Sequence, residues 1–148
     1  MMTPEEIMQM AIIEAEKSKT PFGAVIVKDN KIVEKAGNTV ESDADPTCHA
    51  EVNVLRKLTT RLKTPSLESG YTLYTTCEPC AMCAATCFWA GISEIVYGAG
   101  AADFDDDYNP NMINMRCEEI IAKSPTSIKI KSGILKAECK QLHSKYPL

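Results

Sequence analysis

The sequence predicts an α/β fold in which helices cover both faces of a five-stranded mixed sheet. Three observations carry this. Five short runs rich in β-branched and aromatic residues are bounded by Gly, Pro, Asn and Asp. Only Asp29-Asn30 separates the first two runs, so the sheet opens with an antiparallel hairpin. After that hairpin, helical segments alternate with strands, which makes the later pairings parallel.

The elements follow in order. Thr3-Pro4-Glu5-Glu6 reads as a helix start, with Thr3 as N-cap, Pro4 in the first helical position and Glu6 closing a capping box. That helix is expected to reach about Lys17. Phe22 to Val27 and Lys31 to Lys35 form the hairpin. Asp45-Pro46-Thr47 opens a helix that carries His49 and Glu51 and ends before Pro65. Tyr71 to Thr75 is the third strand. Pro79 starts a helix ending near Gly91, and Glu94 to Tyr97 is the fourth strand. Asn111 to Lys123 reads as helical, Ser127 to Ile130 as the fifth strand and Ile134 to Tyr146 as the last helix. No repeat, low-complexity stretch or linker interrupts the chain, so residues 1–148 are expected to form a single domain.

With 148 residues, 45% of them hydrophobic, such a domain buries roughly 70% of its unfolded surface. The net charge of -4 argues against a general nucleic-acid binder, which needs a basic face. Beyond residue 122 the balance reverses: Lys123, Lys129, Lys131, Lys136, Lys140 and Lys145 face only Glu138. A solvated face is the plain reading of those lysines, and a phosphate-binding patch the alternative. The acidic start is unlike a signal peptide, and the most apolar run, Cys80 to Ile92, is too short to span a bilayer. The seven cysteines are odd in number and three crowd into Cys77 to Cys83, which suits a metal better than a disulfide framework and points to a reducing, cytoplasmic setting.

Two fragments carry the chemistry: His49-Ala50-Glu51 and Pro79-Cys80-Ala81-Met82-Cys83. Zinc takes nitrogen and thiolate ligands in a tetrahedron, and a catalytic zinc keeps its fourth position for water. His49, Cys80 and Cys83 supply three ligands, and Glu51 is a nearby carboxylate able to move protons. Cys80 and Cys83 share a face in the first turn of a helix, where the dipole favours thiolate. His49 and Glu51 lie two apart, so both serve one site only if His49 lies in the first turn of its helix, where geometry is still loose. His143, in the lysine-rich last segment, reads as a surface residue.

Other patterns compete. Cys77, Cys80, Cys83 and Cys87 have the C-x2-C-x2-C-x3-C spacing of an iron–sulfur protein, but Phe88 stands where proline is usual and the run is helix-forming. Gly98-Ala99-Gly100 lacks the third glycine of a dinucleotide loop. Asp103, Asp105 and Asp107 imitate an EF-hand, with Tyr108 in place of its glycine and Asn114 in place of its glutamate. That acidic loop is solvated, or it closes over a substrate with Phe104 and Tyr108 as stacking surfaces.

The segments Pro21 to Val27, Asp45 to Glu51 and Leu73 to Cys83 resemble the cytidine and deoxycytidylate deaminase superfamily, most of all its guanine deaminase and tRNA adenosine deaminase branch. The resemblance implies a three-layer α/β/α sandwich, usually a homodimer, with one Zn2+ per subunit. It implies hydrolytic deamination, with a glutamate matching Glu51 as the proton shuttle. It also implies substrate contacts at Asn38, Phe22 and Ala50. Phe22 after Pro21, Thr76-Cys77-Glu78-Pro79-Cys80, Phe88-Trp89-Ala90 and the acidic loop look like guanine deaminases. The segment from Gly133 to Cys139 looks like the tRNA enzymes, and Tyr146 matches an aromatic residue that guanine deaminases carry near the end of a tail. Free guanine is the leading expected substrate, adenosine in a tRNA anticodon loop the second and a cytosine-type base the third. The contrasting class is a non-catalytic zinc or iron–sulfur domain.

Overall fold

A computed structural model describes residues 1–148. Helix α1 (Pro4–Ser18) begins at Thr3, whose hydroxyl accepts from Glu6 N while Glu6 answers the Thr3 amide, so the capping box forms. Strands β1 (Gly23–Lys28) and β2 (Lys31–Gly37) form the antiparallel hairpin. Asp29 and Asn30 both adopt positive φ (52° and 59°), as a tight two-residue turn demands. A short helix α2 (Val40–Asp43), absent from the sequence reading, follows the hairpin. Then come α3 (Ala50–Leu62), β3 (Thr72–Cys77), α4 (Ala81–Ala90), β4 (Glu94–Ala99), α5 (Cys117–Ala122), β5 (Lys129–Ser132) and α6 (Lys136–Lys145). The expected helix over Asn111 to Lys123 is confined to α5, and the chain from Phe104 to Arg116 is irregular.

The sheet order is β2-β1-β3-β4-β5, antiparallel across β2-β1-β3 and parallel across β3-β4-β5. Period-two alternation divides each central strand between two cores. Ala24, Ile26, Leu73 and Ile95 face α3, α4 and α5. Val25, Val27, Tyr74 and Val96 face α1 and α6. The result is the expected three-layer sandwich. Gly98 admits α6 closely: a Cβ there would stand 2.3 Å from Cys139 Sγ, so this glycine serves packing. Both sheet edges carry lysines, Lys31 and Lys35 on β2 and Lys129 and Lys131 on β5. No helix is long and apolar enough to cross a membrane.

On helix α4, Cys83, Ala84, Cys87 and Ala90 are buried, while Trp89 near its end is 73% exposed.

Candidate active site

The parallel strands end at one edge of the sheet, and the helices that start there bring their N-termini together. His49 is the N-cap of α3, with extended backbone (φ -64°, ψ 157°), and Glu51 sits in the first turn. The break between extended and helical backbone lets two residues of opposite helical phase face one point. Cys80 is likewise the N-cap of α4 (φ -69°, ψ 175°), with Cys83 one turn on. Pro79 therefore lies just outside the helix, which starts at Ala81, two residues later than expected.

His49 Nδ1 lies 3.6 Å from Cys80 Sγ and 3.5 Å from Cys83 Sγ, and the three ligand atoms lie within 4.8 Å of one another. A tetrahedral zinc with bonds of about 2.3 Å to sulfur and about 2.0 Å to nitrogen requires a nitrogen–sulfur edge of roughly 3.6 Å. The residues fit the ion without rearrangement. Cys77 and Cys87 stay outside the cluster, buried in the sheet and helix core, and the four cysteines do not converge as an iron–sulfur site requires. All seven cysteines are free.

The imidazole, two thiols and carboxylate crowded here shift one another's protonation. The Cys83 thiol beside it, ahead of the hydrogen bond from His49, holds Cys80 down at about 4. Cys83 is pushed well up, first by its hydrogen bond to Cys80, which favours the protonated thiol, and then by burial. His49 is raised, chiefly by its bond to Cys80. Burial, then the negative Cys80, pushes Glu51 up to about 7, with His49 opposing. A divalent cation reverses this balance and holds both thiols as thiolates.

These groups open onto a cleft of about 1020 Å³. Phe22 and Asn38 line it, His49, Glu51 and Cys80 form part of its floor, and Asn109 to Ile113 and Tyr146 to Leu148 form its outer wall. Asn38 Oδ1 accepts from Val40 N, so the group it turns to the cleft is Nδ2. Ala50 is fully buried against the core and does not line the cleft, which leaves it only main-chain contacts. None of Asp103, Asp105, Asp106 or Asp107 lines the cleft; Asp103 is turned back to Gly100 N and Lys136. Phe104 and Tyr108 are not free stacking surfaces either. They pack on His143, whose Nδ1 lies 2.6 Å from the Tyr108 hydroxyl. His143 is 6% exposed, against the surface position expected, because α6 turns that face onto the loop and onto Phe22. Sequence reading also missed Asn109 to Ile113, whose role in the wall depends on the path of an irregular loop.

Residues 1–99 match the family model for the cytidine and deoxycytidylate deaminase zinc-binding region. A guanine deaminase of Bacillus subtilis is 41% identical over 104 residues, which cover 67% of this chain and 66% of that protein, just under two thirds of its length. A tRNA-specific adenosine deaminase of the same organism is 35% identical over 143 residues, covering 93% of this chain and 85% of that protein. A solved structure from a study of A-to-I editing by tRNA:A34 deaminases superposes with a TM-score of 0.73 at 29% identity, covering 92% of this chain and 97% of that one. With this match, and with a histidine and two cysteines at zinc-binding distances, the chain belongs to the cytidine and deoxycytidylate deaminase family, a family of zinc-dependent deaminases.

Proposed function

We propose that this deaminase hydrolyses a neutral purine base, converting guanine and water to xanthine and ammonia. The observation that carries the substrate class is the charge of the cleft. Lys19 is the only cationic side chain lining it, against the free carboxylate of Glu41, while Glu78 is neutralised by Arg116. Of the lysines beyond residue 122 none lines it, and Lys131, Lys136 and Lys145 are paired with Glu94, Asp103 and Glu16. Such a lining offers a phosphate backbone a single cationic contact and suits an uncharged base.

His49, Cys80 and Cys83 are the residues that would hold zinc, which would supply an activated water at neutral pH. Glu51, poised near neutrality and buried, removes a proton from the attacking water. It returns that proton to the ring nitrogen as the C–O bond forms, then takes the proton of the added hydroxyl and passes it to the amine as the C–N bond breaks and the hydroxyl oxygen becomes the new carbonyl, releasing ammonia. Asn38 donates from Nδ2 to an acceptor on the base, and Phe22 supplies an apolar wall. The amides of the first turn of α4 have no helical partners and steady negative charge developing on the substrate. Trp89, exposed beside a buried helix face, supports a homodimer through α4; a monomer by sedimentation would remove that part of the reading.

A second reading is adenosine in a tRNA anticodon loop. The longer alignment of the tRNA-specific relative, 143 residues against 104, favours it. The deciding experiment gives zinc-loaded protein free guanine or an anticodon stem-loop and measures ammonia, with Glu51→Gln as control. Release from guanine that the control abolishes is the expected result. Release only from the RNA would replace the free-base reading with the tRNA one.

A further inference from the structure

Glu78 takes no part in the chemistry proposed above, yet its carboxylate is the most heavily bonded in the molecule. The side chain is fully buried. Oε1 accepts from Ala101 N at 2.9 Å and from Arg116 Nη2 at 2.9 Å. Oε2 accepts from Cys117 N at 2.8 Å and from Arg116 Nε at 2.9 Å. Ala101 begins the long irregular segment after β4, and Arg116 and Cys117 end it. One carboxylate therefore ties both ends of an Ω-shaped loop together at its neck. Gly100 keeps the space for this: a Cβ there would lie 3.2 Å from Glu78 Oε1 and 3.4 Å from Arg116 Nη2.

The same residue is joined to the metal site through the chain itself. Glu78 stands two positions before Cys80, and its own amide donates to Ala99 O at 2.8 Å. Midway round the loop, Tyr108 is held by His143. The segment beyond, Asn109 to Ile113, makes its side-chain hydrogen bonds within itself, between Asn109 and Met112, and Ile113 is 73% exposed. That segment is the part of the loop that walls the cleft.

We infer that Glu78 is a positioning residue: by clamping the neck of the loop at 101–117 it fixes the wall segment Asn109 to Ile113 at a set distance from the metal site, and so governs how tightly substrate is held. The inference rests on the deaminase reading. It assigns to the loop the binding of substrate and leaves the chemical step to His49, Glu51, Cys80 and Cys83.

The test compares wild type, Glu78→Gln, Arg116→Gln and Gly100→Ala. Zinc per chain, amide hydrogen exchange and steady-state deamination of guanine are measured on each. Glu78→Gln should keep its zinc, raise KM about tenfold or more and leave kcat within about threefold, the signature of lost binding rather than lost chemistry. Exchange across 101–117 should quicken about tenfold while that of α3 stays unchanged. Gly100→Ala keeps every charge and presses on the same carboxylate, so it should move KM and exchange in the same direction. A purely structural ion pair would lower global stability and leave the KM-to-kcat split untouched, which overturns the inference, as does loss of kcat at constant KM or loss of zinc. Should Glu78→Gln fail to fold, the same split in Arg116→Gln and Gly100→Ala decides. Wild-type silence on guanine would count against the proposed substrate, and the exchange measurement would still decide the clamp.

Discussion

Residues 1–99 and residues 100–148 are built by different physics. In the first region, β1, β3 and β4 are almost wholly buried and their alternating side chains feed two cores. The metal-binding residues stand on the ends of helices that these strands support. In the second region the elements are short, β5 and α6 are largely exposed, and shape comes from individual side-chain bonds such as Glu78 to Arg116 and Tyr108 to His143. The lesson is a separation of duties. A reaction needs atoms held to fractions of an ångström, and a packed sheet provides that. Substrate choice needs a wall that changes without disturbing the reaction, and a loop fastened at a few points provides that.

The strongest challenge to this comparison is Glu51→Gln. It should lower turnover by about 10²- to 10⁴-fold, the usual scale of a lost proton shuttle, with zinc content unchanged by metal analysis. Next is Leu73→Ala, in the fully buried middle of β3, which should cost about 2–5 kcal/mol in urea unfolding. An equally large loss from a wall residue such as Met112→Ala would erase the distinction between the regions.

A subtler comparison concerns His143, which burial pushes down to about 4 from its ordinary 6.5. Folding selects the neutral ring. Its contribution is therefore complete above about pH 6.5 and is lost as pH falls toward 4. The predicted size is on the order of 2 kcal/mol, so wild type should lose that much more stability than His143→Gln between pH 7 and pH 4.5. The smallest expected effect is at the far end of the first region. Thr3→Ala removes the α1 cap and should lower unfolding free energy by about 1 kcal/mol, with no change in turnover.

Legibility in the sequence follows the same division. The Thr3–Glu6 box, the Asp29-Asn30 turn and the two metal-binding fragments were all readable, because each depends on neighbours a few residues away. That His49 belongs near the start of its helix was readable too, from its spacing to Glu51, although the helix begins at Ala50, later than Asp45-Pro46-Thr47 suggested. What failed was non-local. Asn111 to Arg116 has helical composition, yet Asn111 takes positive φ (62°) and Arg116 is drawn to Glu78, so the helix starts only at Cys117. His143 has lysines on both sides in sequence, but Phe22 and Phe104 enclose it from distant parts of the chain. The acidic loop after Gly100 read as solvated or as closing over a substrate, and its path keeps its aspartates, Phe104 and Tyr108 out of the cleft lining.

The lysines on the two free sheet edges constrain how copies of the chain meet. An open strand edge is a template for pairing with another molecule, and charge on it opposes the growth of continuous sheets between chains. With β2 and β5 both guarded in this way, cross-chain β-addition is disfavoured at either end. Contacts between copies are thereby favoured through the helical layers rather than the strand edges.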